Sequence, residues 1–123
     1  MDQLNEDTNR VEEFLRRRAS ENERLLAQAN LPIKRFFALD ADVYSDGALT
    51  RKQKELIGLT ASAVLRCDDC ITYHLVRARE HEATDDEIKE ALAIALIVGG
   101  SITIPHLRRA FALLDQPDIT PQG

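Results

Sequence analysis

Tryptophan is absent from this chain, and only six of its 123 residues are aromatic, four Phe and two Tyr. A hydrophobic core must therefore be built mainly from Leu, Ile, Val and Ala. No apolar run approaches the ~18 residues that a membrane span requires; the longest, Ala91 to Val98, is closed by Gly99. Positive charge is not in excess. With 16 Lys and Arg against 21 Asp and Glu, the formal net charge is −5, which argues against a general affinity for nucleic acid or an anionic membrane. Arg16-Arg17-Arg18 is locally basic, but Glu12, Glu13, Glu21 and Glu23 flank it, so a solvated helix face is expected there. The start of the chain shows no basic region followed by an apolar run, so no secretory signal is expected and the cytoplasm is the expected compartment. Repeats, low-complexity tracts and strand-like alternation are missing too. Cysteine is scarce, with two residues in a single Cys-x-x-Cys. In a reducing compartment such a pair is more often catalytic or metal-binding than a structural cross-link.

What remains is helical. A first helix is expected from a cap at Asp7 or Thr8 to about Ala29, with Val11, Phe14, Leu15, Leu25 and Leu26 in a broken apolar stripe suited to packing against a partner subunit. Pro32 suits a first helical turn, and Ile33, Phe36, Phe37 and Leu39 form a second apolar face. Ser45-Asp46-Gly47 reads as a turn. Thr50-Arg51-Lys52-Gln53 and Thr84-Asp85-Asp86-Glu87 have the form of capping boxes, each opening a helix. Gly58 costs the first of these helices ~1 kcal/mol against Ala, tolerable where another helix approaches closely. Between Arg66 and Cys70 there is neither Gly nor Pro, so periodicity does not reveal a break. Asp68 and Asp69 nevertheless favour a fresh start there, because acidic residues suit a first turn. Ala91–Val98 is apolar all round and is expected to be buried at the centre of the fold, ending at Gly99-Gly100. Ser101 is expected to cap a last helix from Ile102 to about Asp115. The expected architecture is all-α: a single domain of about six helices, with an N-terminal amphipathic helix over 1–30, a core over 31–115 and a frayed tail over 116–123.

The chemistry is concentrated in Cys67-Asp68-Asp69-Cys70-Ile71-Thr72-Tyr73-His74. On a helix, Cys67, Cys70 and His74 share one face. A helix start at Cys67 or Asp68 lowers a nearby thiol's pKa. His74 can take the proton of Cys70 or hold its thiolate as imidazolium, and the second thiol can resolve a sulfenic acid or mixed disulfide. Asp68 and Asp69 oppose thiolate formation, so a further group is needed to orient the histidine. If the chain reverses near Arg66, Glu55 lies about three turns below the reversal, at the depth His74 reaches on the returning helix.

This set, Glu55 followed by Cys67, Cys70 and His74, resembles the Glu-x(11)-Cys-x-x-Cys-x(3)-His signature of the alkylhydroperoxidase D (AhpD)-like proteins, within the carboxymuconolactone decarboxylase superfamily. The likeness covers roughly residues 35 to 114 and extends to Gly99-Gly100-Ser101. It implies an all-helical, single-repeat domain that assembles into trimers or hexamers and has thiol-dependent peroxidase activity without a cofactor. By the resemblance, Cys70 attacks the hydroperoxide, Cys67 resolves it to a disulfide, and His74 and Glu55 relay the proton. A dithiol reductant such as a lipoyl-bearing or thioredoxin-like protein restores the pair. The chain departs from the family in having Asp69 where the characterised peroxidase has histidine, which makes the relay shorter and more negative. The superfamily's decarboxylases generally lack the cysteine pair, which points away from lactone decarboxylation.

Other readings stay beside this one. The pair could reduce protein disulfides generally or sense redox state. It could bind zinc, although neither His81 nor Asp69 completes a ligand set at a familiar spacing, and no metal is expected. It could also be inert in a non-catalytic helical binding protein. Tyr73 is a candidate to line the pocket, His106 a candidate for an interface or secondary site role, and His81 is expected to be solvated.

Overall fold

The computed structural model describes residues 3–116, with side chains described from Arg10 onward. Its elements are α1 (Gln3–Gln28), α2 (Leu31–Tyr44), α3 (Arg51–Val64), α4 (Asp68–Glu80), α5 (Asp85–Gly99), a 3-10 turn (Ser101–Thr103) and α6 (Ile104–Leu114). The described residues contain no strand.

Local sequence sets most helix starts. Asn30 caps α2 with its side chain, and Pro32 occupies the first turn, where its missing N–H has no helical partner to lose. Thr50 with Gln53, and Thr84 with Glu87, form complete capping boxes at α3 and α5. Each satisfies two backbone donors that the helix itself leaves unpaired. Gly100, at φ +80°, ends α5 in a conformation that glycine adopts without a Cβ penalty.

The reversals between α3 and α4, and between α4 and the loop to α5, are closed by non-glycine residues in the left-handed region, Arg66 (φ 61°) and Glu82 (φ 70°). At the first, the Cys67 N–H bonds the Ser62 carbonyl and the Arg66 N–H bonds the Ala63 carbonyl. At the second, Ala83 reaches back to Ala78 and Glu82 to Arg79 in the same pattern. Both are Schellman motifs, whose bonds satisfy the last free carbonyls of a helix. Each offsets a left-handed cost of about 1–2 kcal/mol.

The core joins Leu59 and Ala63 of α3, Ile71, Leu75 and Ala78 of α4, Ile88, Leu92 and Ala95 of α5, and Leu107, Ala110 and Leu114 of α6. Helix α3 packs against both α4 and α5, and α6 closes over α4. The side chains are small and aliphatic, as the lack of aromatic residues requires.

Several expectations need correction. Helix α1 begins at Gln3, so Asp7 and Thr8 lie inside it and do not cap it. The Ala91–Val98 segment is not buried all round: Ala91, Leu92 and Ala95 face the core, whereas Ile94, Ile97 and Val98 are exposed, Ile97 by 85%. Among the described residues no helix covers that outer side, so apolarity here does not mean burial within the chain. Ser101 does not cap α6; it opens a 3-10 turn, and α6 starts at Ile104 with Pro105 in its first turn. Gln116, placed in the tail, is buried; the rest of the tail lies outside the described residues. On α2 no side chain is buried, and Leu31, Ile33, Phe36, Leu39 and Val43 are all exposed.

Candidate active site

The turn at Arg66 lays α4 back along α3, and this brings Glu55 to His74. The Glu55 carboxylate is 1% exposed. Its Oε1 lies 2.8 Å from His74 Nδ1, and its Oε2 accepts a 2.7 Å bond from Arg51 Nε, one helical turn earlier. Burial pushes the Glu55 pKa up. The hydrogen bonds from His74 and Arg51 outweigh it and hold the pKa below its ordinary 4.5. Glu55 is therefore ionised near neutrality, and an ionised carboxylate only accepts. His74 Nδ1 must carry the shared proton, which leaves Nε2 as the nitrogen available to the cleft.

Aromatic side chains fix the imidazole from two sides. The Tyr44 ring, at the end of α2, stacks on it with centroids 5.4 Å apart, and the Tyr73 ring meets it edge-on at 5.4 Å. Burial, followed by the negative charges of Glu55 and Asp40, raises the Tyr44 pKa from 10.0, so its phenol stays neutral. Gly58 is what lets these groups meet. A Cβ at position 58 would run into the Tyr44 hydroxyl and the His74 ring. Gly58→Ala gains ~1 kcal/mol of helix propensity but overpacks the site by about 1–3 kcal/mol. The expected result is a slightly lowered melting temperature with a disproportionate loss, about 10- to 100-fold, of any activity that depends on His74, because the imidazole must shift. Thermal unfolding and initial-rate assays on the same preparation measure both.

Cys67 is the N-cap residue of α4, and its Sγ accepts the Cys70 N–H at 3.2 Å. The two cysteines are joined in a disulfide, with Cα atoms 5.2 Å apart. Cys67 is half-buried and Cys70 exposed. Both sulfurs sit at the positive end of α4, which favours a thiolate once the bond is reduced. The opposing charge of Asp68 is taken up elsewhere: Oδ1 is 2.8 Å from His106 Nδ1 and Oδ2 is 2.9 Å from Arg109 Nη1. Asp69 is exposed to water.

A cleft of about 330 Å³ is lined by Cys70, His74, Tyr73 and Asp69 from α4, and by Arg17 and Arg18 from α1. A smaller cavity of about 140 Å³ is lined by Glu55, Arg51, Tyr44 and again His74. The imidazole thus borders both the cysteine cleft and the carboxylate that anchors it. Of the residues singled out from sequence, Glu55 is bonded to His74, Cys67 is bonded to Cys70, and Cys70, His74 and Tyr73 line one cleft. His106 does not join them; it ties α6 to the first turn of α4 and lines a separate cavity of about 270 Å³. His81 caps the end of α4 and is half-buried, not solvated. Among the described residues no group of three His, Cys, Asp or Glu side chains is placed to hold a metal ion, and no helix is long and apolar enough to cross a membrane. Arg51 and Tyr44 were not anticipated. The i, i+4 relation of Arg51 to Glu55 was a usable signal; Tyr44, on another helix, left none.

The Glu55 shift has a consequence for stability. Because the folded pKa lies below the ordinary 4.5, the stabilisation from this carboxylate is complete above 4.5 and is lost as pH falls through the folded value. Urea unfolding at stepped pH is expected to show an acid loss below pH 4.5 that is diminished in Glu55→Gln.

An all-helical domain with a cysteine pair beside a buried carboxylate–imidazole couple defines a class of helical dithiol proteins. Within it, the chain belongs to the carboxymuconolactone decarboxylase family, whose model matches residues 33–114. A crystal structure of a Thermotoga maritima protein shares 58% identity, with a TM-score of 0.82 over 84% of this chain and 90% of that one. A second crystal structure from that organism, at 57% identity and TM-score 0.80 over 84% and 87% of the two chains, is of a family protein with a suggested part in antioxidative response. An apo family protein from Legionella pneumophila shares the fold at 22% identity, with a TM-score of 0.79 over 87% of this chain and 96% of that one. Uncharacterized protein 4 in the cox locus of Paracoccus denitrificans is 36% identical over 83 residues, 68% of this chain and 75% of its own length.

Proposed function

We propose that the chain is a thiol-dependent peroxidase of the alkylhydroperoxidase type, which reduces hydroperoxides at the Cys67–Cys70 pair. The observation that carries this reading is the ionised, buried Glu55 holding His74 at the edge of the cleft that also exposes Cys70.

In the reduced protein His74 takes the Cys70 proton through Nε2, and Glu55 holds the resulting imidazolium. The Cys70 thiolate attacks the terminal peroxide oxygen. The O–O bond breaks, the sulfur becomes a sulfenic acid, and the departing alkoxide takes the proton from His74 to leave as an alcohol. The Cys67 sulfur then displaces hydroxide from the sulfenic acid as water, forming the disulfide. The net change converts one hydroperoxide and two thiols into one alcohol, one water and one disulfide. A dithiol reductant of the lipoyl-bearing or thioredoxin-like kind returns the pair to thiols by exchange, which fits a cytoplasmic setting. The suggested antioxidative part of the Thermotoga maritima relative agrees with this chemistry.

The exposed apolar residues of α2 and of the outer side of α5 support assembly with further copies as a homotrimer or homohexamer. The net negative charge supports a protein that binds neither nucleic acid nor anionic membrane.

The reading is tested by mixing reduced protein with an organic hydroperoxide and following peroxide loss alongside free thiol. One peroxide consumed per disulfide formed, with repeated turnover under dithiothreitol, is the expected result. Fast reduction of protein disulfides with no peroxide consumption would instead make the chain a general disulfide reductase.

A further inference from the structure

The cysteine cleft is not built by the family-matched core alone. Helix α1 precedes the matched residues 33–114 and supplies Arg17 and Arg18 to its wall. Both were expected on a solvated helix face. Arg18 is not on one: it is half-buried, and its guanidinium carbon lies 3.6 Å over the centre of the Tyr73 ring. Arg77 approaches the same ring at 5.0 Å. Tyr73 is therefore braced by two cations while its edge meets His74. Arg17 has Glu21 at 4.0 Å, whereas Arg18 forms no ion pair among the described residues.

We infer that Arg18 is a specificity residue that seats an anionic group of the substrate, so that the preferred hydroperoxide carries a carboxylate. This rests on the peroxidase reading and adds a substrate class to it. Stacking on Tyr73 fixes the planar guanidinium by one face and leaves its N–H edge to bind a carboxylate in a fork. Glu21, Asp40 and Asp69 also line the cleft and repel an anion. All three are exposed to solvent, where water and salt screen them. Arg18 sits in the less polar setting beside Tyr73, where a charge acts more strongly on a bound ligand. Arg18 lines the same cleft as Cys70 and His74, so an anion seated on it belongs to a molecule whose reacting group faces the sulfur.

Two carbon-halide reagents of similar size read the seat without any peroxide. In a reduced Cys67→Ser background, where Cys70 is the single thiol, alkylation by iodoacetate is compared with alkylation by neutral iodoacetamide. Arg18→Gln is expected to lower the iodoacetate-to-iodoacetamide rate ratio about 10-fold, with Arg18→Lys retaining most of it. In the otherwise unaltered protein, Arg18→Gln is expected to lower the ratio of kcat/KM for a carboxylated cumene hydroperoxide to that for cumene hydroperoxide by about the same factor, chiefly through KM. An unchanged ratio, or equal slowing of both reagents, would overturn the proposal, since Arg18 would then act on the thiol or the fold. A lowered ratio with no turnover of either hydroperoxide would overturn the peroxidase reading and leave the anion seat standing.

Discussion

On the proposed peroxidase reading, Cys70→Ser is expected to bring peroxide consumption down to the uncatalysed background, a loss of at least about 10³-fold, because a serine hydroxyl at neutral pH offers no comparable nucleophile. The two cysteines are not equivalent in this structure, and the variants separate them. Cys70 is exposed in the cleft that His74 borders; Cys67 is half-buried and engaged as the α4 cap. Cys67→Ser is therefore expected to consume one equivalent of peroxide in a burst and then stop, leaving a sulfenic acid on Cys70 that a dimedone-type reagent captures. Cys70→Ser shows no burst. The competing assignment gives the attack to Cys67, which lies closer to the start of the helix, where the dipole most strongly favours a thiolate. It demands the reverse pattern: a burst in Cys70→Ser and none in Cys67→Ser. Mass spectrometry of each variant after one equivalent of peroxide decides between them.

Much of this architecture is legible before any coordinates. The two Thr-led capping boxes announce α3 and α5, and both are complete in the structure. The register of Glu55, Cys67, Cys70 and His74 depends only on helical spacing and one reversal, and the structure supplies that reversal. What the sequence hides has physical reasons. The turns at Arg66 and Glu82 use residues that carry a Cβ into the left-handed region, so the glycine that usually marks a helix end is missing. Apolarity at Ile94, Ile97 and Val98 looks like core, because composition alone does not distinguish burial within one chain from a surface that awaits another. Gly58 can be read as room for a neighbouring helix, and the structure shows which side chains need it, Tyr44 and His74. Arg18 shares its local pattern with Arg16 and Arg17, yet only its stacking on Tyr73 removes it from the solvated face. Contacts between helices far apart in the chain decide these last two, and no local periodicity encodes them.

Glu55→Gln is expected to lower turnover about 10²- to 10⁴-fold, the range that proton transfer by a positioned base supplies. Gln can still accept from His74 Nδ1, so the imidazole need not leave its place between Tyr44 and Tyr73. What disappears is the charge that stabilises the imidazolium, together with half the reason for the Nδ1–H tautomer. Stability falls as well, by about 1–3 kcal/mol, because Arg51 loses its carboxylate and an amide N–H₂ now faces the guanidinium. The stability loss alone does not explain the rate, since the folded fraction stays near unity for a domain of ordinary stability. The decisive measurement is a double-mutant cycle with His74→Ala. If Glu55 works only through His74, the double variant is no slower than His74→Ala alone, a strong departure from additivity. Multiplying losses would mean that Glu55 acts on the cleft by another route, and the carboxylate–imidazole–thiol account would then fail at its first link.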